Sequence, residues 1–452
     1  MNTENTENKE TKTEPSGEEV AITEQEQASL LAEPTDPVNS DIEESVEHQE
    51  QIADLALRST MVLESLNNLY SSIEASTQRR GISRNEGAVV EIALEHLSEH
   101  VGISRKAEYT TEALVSMNGH RRAELTLESI SDMFTKIVEG ARKLLAAAIE
   151  AIKKFWKLMT DRAAQLLYRA KKLKQGAALI TGDSFYEIKV KEYVHVLSND
   201  KGFDPEVVAK DFIAYIGKNN NPSALLEASA DRFGPAYLDV LGTITSKSDN
   251  NKTGEFFEKW KTFIEQIHVL DNVTYVEIDS PEKGLATKVL ELPFGGAEIN
   301  EIQKGAKVET GGALGDYVEA TRRASLSLEK MKLTVSVPKP IDKIQDTIVS
   351  SLGANSAKEI INKSITYLEG YVNNKNADKF IKSLTNAKKE LDSFGRNKEK
   401  LASDRLYSNI CAGATGLIIR YLTSSASQLR MYDIKIITAG LAYAQDSIVA
   451  AK

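Results

Sequence analysis

The chain has 452 residues, a formal net charge of −10, 41% hydrophobic residues and a single cysteine. The apolar content supports a sizeable core spread over two or three domains. One thiol excludes an intramolecular disulfide framework, and no uninterrupted apolar run approaches the ~20 residues that span a bilayer. The charge is unevenly divided: residues 1–54 carry sixteen carboxylates against Lys9 and Lys12, and the rest of the chain is net cationic.

Residues 1–54 are rich in Glu, Thr, Asn, Gln and Pro and contain no aromatic residue. Such a segment buries too little surface to offset its ordering entropy and reads as a disordered acidic arm. Met1–Glu14 lacks the apolar stretch of a targeting segment, so synthesis in a reducing cytoplasm is expected. Helical periodicity begins near Ile52 and continues through Leu55, Met61, Leu63, Leu66, Leu69, Tyr70 and Ile73. Gly81-Ile82-Ser83 breaks it, Ser83 caps a second helix through Val89, Val90, Ile92, Leu94 and Leu97, and Gly102 ends that helix. Lys106–Asn118 reads as a connector.

A basic amphipathic helix follows. Between Asp132 and Lys174 eleven Lys/Arg face four acids, Asp132, Glu139, Glu150 and Asp161. Phe134, Ile137, Val138, Ala141, Leu144, Leu145, Ala148, Ile152, Phe155, Trp156, Met159, Ala163, Leu166 and Leu167 form a continuous apolar stripe. The candidate polyanion or membrane face consists of Lys143, Lys153, Lys154, Lys157, Arg169, Lys171, Lys172 and Lys174. Three readings fit it: a core helix with a cationic solvated side, phosphate-backbone contact without sequence readout, and a helix lying in a membrane interface with Phe155 and Trp156 inserted.

Beyond Lys174 the pattern changes. Tyr186–Lys191 alternates as a strand, Asp204-Pro205-Glu206 starts a helix, Asn221-Pro222-Ser223 starts another through Leu241, and a further helix runs over Thr253–Leu270. Val273–Ile278, Ala286–Leu292 and Leu333–Val337 read as short strands separated by turns, including Pro293-Phe294-Gly295-Gly296 and Gly311-Gly312. From Ile341 to Lys452 nearly everything reads as helix, with breaks at Gly353, Asn373-Asn374, Gly395 and about Arg430, which suggests four antiparallel helices. Cys411 sits in an apolar helical context as a small core residue. The expected fold is mainly α: a disordered arm (1–54), a helical region with the basic helix (55–175), an α+β region with few strands (176–340) and a C-terminal helical bundle (341–452).

The sequence offers little catalytic chemistry. His96-Leu97-Ser98-Glu99-His100 matches the H-x-x-E-H zinc-peptidase pattern, in which two imidazoles four residues apart share a helix face and the Glu polarises water. The match is short and lacks an identifiable third ligand, so a solvated helix face is the better reading. His48, His120, His195 and His268 form no metal-binding spacing, and no phosphate-loop, dinucleotide or G-x-S-x-G motif occurs. No catalytic residue, metal or cofactor is assigned.

Leu63-Glu64-Ser65-Leu66, Ala93-Leu94-Glu95, Thr126-Leu127-Glu128-Ser129-Ile130 and the run Leu144–Trp156 (LLAAAIEAIKKFW) give the chain a further identity. In motif order and composition, residues 55–175 and the helical C-terminal part resemble the internal head proteins of large tailed bacteriophages. The resemblance implies a non-enzymatic virion protein in the capsid interior, packaged with the genome and other internal proteins and trimmed by the maturation protease. Such proteases favour a small residue, any residue, then Glu. Ser45-Val46-Glu47, Ser72-Ile73-Glu74 and Ala93-Leu94-Glu95 fit, as does Ala148-Ile149-Glu150. Cleavage after Glu47 or Glu74 would remove most of the acidic arm and leave a near-neutral or cationic remainder. A membrane-active or scaffold-like helical protein is the alternative, and a zinc metallopeptidase the lesser one.

Overall fold

A computed structural model describes residues 37–103, 117–180, 184–198, 203–217, 222–227, 275–278, 285–302, 332–336, 348–373, 376–394 and 418–451, with isolated positions between 236 and 263 and between 413 and 416. The arm before Pro37, most of the 106–118 connector, most of the helices expected after Pro222 and Thr253, the Gly311-Gly312 loop, Gly395 and Cys411 lie outside these residues.

The first helix, α1 (Pro37–Thr77), starts well before Ile52, which corrects the arm's expected boundary. Proline is tolerated in a first helical turn because its missing N–H would be unpaired there. The helix is amphipathic in a disguised way. Ile42, Val46, Gln49, Ala53, Ala56 and Thr60 recur at three- and four-residue steps and are buried, while Asp41, Glu43, Glu44, Glu47, Glu50 and Asp54 are all exposed. Gln49 occupies a core position because Ser427 Oγ donates to its Oε1 (2.8 Å).

The expected break falls at Gly81, whose φ of +72° favours glycine. Ser83 then caps α2 (Arg84–His100) through a capping box. Glu86 N donates to Ser83 Oγ (3.2 Å) and Ser83 N donates to Glu86 Oε2 (2.6 Å). Gly102 (φ +67°) follows the helix end as expected. Asn118 caps α3 (Gly119–Ala178), a 60-residue helix about 90 Å long.

That length lets α3 serve two cores. Its first third packs with α1 and α2 in a smaller cluster of Leu63, Leu66, Ile73, Val90, Leu94, Ile130, Phe134 and Ile137. The remainder runs through the main core, where Leu145, Ile152, Phe155, Met159 and Leu166 meet the C-terminal helices.

After α3 come β1 (Glu187–Lys189), α4 (Glu192–Val196) and α5 (Pro205–Ile216). Asp204 caps α5, accepting from Glu206 N (2.9 Å) and Val207 N (3.0 Å). Residues 222–227 are also helical. A four-stranded antiparallel meander follows: β2 (Tyr275–Ile278), β3 (Leu285–Leu292), β4 (Gly295–Ile302) and β5 (Lys332–Ser336), in that spatial order. The expected turn at Pro293–Gly296 is only two residues long. Gly295 and Gly296 already pair with Leu292 and Glu291, so β4 is a strand the sequence hid behind two glycines. Phe294 at the hairpin tip is buried, with its N–H donating to Tyr432 Oη (3.2 Å), which pins the sheet to the helical core.

The all-helical expectation after Ile341 also needs correction. Short β6 (Ile348–Ser350) pairs antiparallel with β1, and the seam is extended by Ser351 N donating to Tyr186 O (2.7 Å). Three Ile/Val/Ser residues carry no periodicity of their own, and only a partner 160 residues away makes them a strand. Gly353 and Asn373 bound α6 (Ala354–Val372) as expected, and α7 (Asn376–Phe394) follows it. A π-helical segment (Ile418–Ser424) leads into α8 (Ser425–Ala450). No break occurs at Arg430: α8 carries this buried arginine in its second turn because Glu227, from the 222–227 helical segment, and Asp433, on α8 itself, supply its counter-charges. The fold is mainly α, with helices flanking a small sheet region.

Candidate polyanion-binding face

The apolar stripe of α3 is wholly consumed by the fold. Phe155 is fully buried and Trp156 is 6% exposed. Trp156 stacks on Tyr371 of α6 (5.5 Å between ring centroids, 23° between planes). The Arg430 guanidinium lies 5.0 Å from the Tyr371 centroid and 5.8 Å from that of Trp156. This overturns the reading in which Phe155 and Trp156 insert into a membrane. Among the described residues no helix is long and apolar enough to cross one.

The fold also claims part of the cationic side. Lys136 pairs with Asp132 (2.5 Å), Lys153 with Glu150 (2.6 Å) and Lys171 with Glu369 (2.8 Å). Arg162 is buried. Arg169 turns inward, where Nε and Nη2 both donate to Gln445 Oε1 (3.2 and 2.7 Å). Burial, and then the neighbouring Arg162 charge, lower the Arg169 pKa. Lys172 extends over the Tyr168 ring (4.7 Å). Arg142 ties α3 to α7 by donating to Asp392 Oδ1 (2.8 Å). Burial opposes the Asp392 charge, but hydrogen bonds from Lys388 and Arg142 outweigh it and hold the carboxyl below its ordinary value. The stabilisation from that tie is therefore complete above the ordinary carboxylate range and is lost as pH falls through the depressed value.

Of the eight candidate cations, Lys143, Lys154, Lys157 and Lys174 remain exposed with no ion-pair partner among the described residues. Lys143, Lys154 and Lys157 share one side of α3, because steps of eleven and fourteen residues return a helix to about the same direction. Exposed Asp161 and Glu150 are interleaved with them, so the local excess of positive charge is modest. Such a surface suits weak contact with a polyanion, with no means of reading sequence.

The other candidate positions have plain settings. His96 and His100 are exposed on α2 with ring centroids 4.7 Å apart. Among the described residues no group of three or more His, Cys, Asp or Glu side chains is placed to hold a metal ion. Glu47 and Glu74 both lie inside α1. Glu47 is exposed, but Ser45 and Val46 before it are buried, and Ile73 before Glu74 is part of the smaller core.

The densest polar site among the described residues lies in the main core and contains none of the residues singled out as functional candidates from the sequence. Arg430 Nε and Nη2 donate to Glu227 Oε1 (2.5 Å) and Oε2 (2.8 Å), and Nη1 donates to Tyr367 Oη (2.7 Å). Asp433 accepts from Tyr215 (2.6 Å), Ser223 (2.8 Å) and Tyr367 (2.6 Å). Burial, and then the Asp433 charge, hold the Tyr215 phenol well above its ordinary pKa, so it remains a donor. Burial opposes the Arg430 charge, but Glu227 and the surrounding phenols more than restore it. A spacing of one turn between Arg430 and Asp433 on an apolar helix was the available signal.

No curated protein and no solved structure matches the chain. The family model of the phiKZ-like phage internal head proteins matches residues 36–445, beginning beside the first residue of α1 and leaving residues 1–35 outside. The chain therefore belongs to the phiKZ-like phage internal head proteins, a structural family of the phage-head interior.

Proposed function

We propose that the protein is a non-enzymatic component packaged in the head with the genome, that it touches DNA phosphates through the lysine side of α3, and that the head maturation protease removes its acidic arm. The observation that carries the DNA contact is the set of exposed cations Lys143, Lys154 and Lys157 on one side of a rigid helix, without an ion-pair partner among the described residues. Their side chains do nothing for the core. A polyanion held in the same compartment is the natural counter-charge.

With three lysines available, binding of the full chain to duplex DNA should be weak and indifferent to sequence. The log–log salt slope contributed by this side should be about −2.7. K143Q/K154Q/K157Q should lose that contribution, whereas K153Q, whose ammonium already faces Glu150, should change little. Equal binding at all salt concentrations would reject the phosphate contact, and preference for anionic vesicles over duplex DNA would favour the membrane alternative.

Processing is constrained by local stability. A protease needs an extended substrate, and a helix must open locally to supply one. Glu47 is reached by fraying the first turns of α1, held by Ile42, Val46 and the exposed Glu43–Lys435 pair (2.8 Å). Glu74 is reached only by opening the smaller core, which α1 supplies with Val62, Leu63, Leu66 and Ile73. Trimming is therefore expected at or before Glu47, with α1 retained from residue 48 onward. Mass spectrometry of the protein from mature heads reads this directly: an intact residue 1 rejects trimming, and a new terminus at Ala75 rejects the choice of site.

A further inference from the structure

The turn between α1 and α2 and the first turn of α3 meet at one end of the smaller core. Ile82 N donates to Gly119 O (3.1 Å), and Gly81 is so close that a Cβ there would sit 2.3 Å from the Gly119 carbonyl carbon. Buried Arg122 fastens the junction, with Nη1 donating to Ile82 O (2.8 Å) and Nη2 to Met117 O (2.6 Å). This junction brings Arg79, Arg80, Arg84, His120 and Arg121 to one end, all of them exposed. Glu86 pairs with Arg80 (2.8 Å) and Glu124 with Arg121 (3.0 Å), but both arginines are more than half exposed and such pairs contribute little. Among the described residues Arg79 and Arg84 have no ion-pair partner.

The fold gains nothing evident from these charges. Arg84 opens α2, and His120 and Arg121 stand in the first turn of α3, which contains no acid. Positive charge there opposes the helix dipole, and the arginines also repel one another. A rigid cluster kept against local preference points to a function outside the fold. The guanidinium fork matches phosphate oxygens better than an ammonium does. We propose that this arginine tip is a second phosphate-contact site for packaged duplex DNA, distinct from the lysine side of α3. The proposal rests on the DNA-contact reading above. Arg121 and Lys143 are separated by about 33 Å of helix, so the two sites meet different phosphates.

The test is a salt titration of the full chain against a mixed-sequence DNA duplex. R79Q/R84Q removes two exposed charges that have no ion-pair partner among the described residues, and its thermal unfolding should match the wild type. Its log–log slope should be shallower by about 1.8, so the wild-type advantage should shrink roughly twelvefold between 50 and 200 mM salt. R79K/R84K should restore most of the slope. If R79Q/R84Q keeps the wild-type slope while K143Q/K154Q/K157Q flattens it, the tip proposal is wrong and the lysine reading stands. The opposite pattern retains the tip and removes the lysines. A wild-type chain with no salt-dependent binding overturns both.

Discussion

Arg430→Ala should cost about 3–5 kcal/mol in chemical denaturation, because it leaves Glu227 buried without its bidentate partner. Arg430→Met with Glu227→Gln should cost clearly less, since it removes both charges and keeps most of the volume. The single variant should also acquire a pH dependence. Burial pushes the Glu227 carboxyl up, and Arg430 is what pulls it back. Without Arg430 the folded-state pKa rises further above the unfolded one. The associated stability is then present below the unfolded value and lost as pH rises through the folded one, so the deficit should widen with pH. A single-variant deficit no larger than that of an exposed substitution would show that the network does not hold the core together.

Trp156→Ala should cost about 3–5 kcal/mol, as expected for truncating a large buried aromatic side chain. It loses the stack on Tyr371 and part of the aromatic surface that the Arg430 guanidinium rests on. Because Trp156 and Arg430 share these contacts, the double variant should cost less than the sum of the two singles. The slope of DNA binding against salt should not change in the folded protein, since Trp156 points away from Lys143, Lys154 and Lys157. A variant that keeps its stability but loses affinity for anionic vesicles would return Trp156 to the surface role that the fold denies it.

The basic helix shows how far a functional face can be read in sequence. Its apolar stripe was legible at the right spacing, and so was its excess of cations. Which cations remain available was not legible. Glu369 and Asp392, the partners of Lys171 and Arg142, lie on helices about 200 and 250 residues away, and Gln445, the partner of Arg169, lies 276 residues away. The arginine tip was hidden for the same reason, since Arg79–Arg84 and His120–Arg121 become neighbours only through the Ile82–Gly119 contact.

Local chemistry decided much by itself. Ser83 with Glu86, Asp204 before Pro205, and the positive-φ glycines Gly81 and Gly102 set helix ends because their partners lie within a few residues. The strands Tyr275–Ile278, Leu285–Leu292 and Lys332–Ser336 carried enough alternation and β-branching to be seen. The motif order of residues 55–175 carried the phage internal head family. Distant partners decided the rest. Acidic composition hid the start of α1 because the core position of Gln49 makes sense only beside Ser427. Two glycines hid β4 until β3 supplied its register. Ile348–Ser350 became a strand only through β1, and Arg430 stayed inside a helix only because distant Glu227 neutralises it. In each case the free energy comes from a hydrogen bond or charge pair that joins residues far apart in the chain, and periodicity along the sequence does not record it.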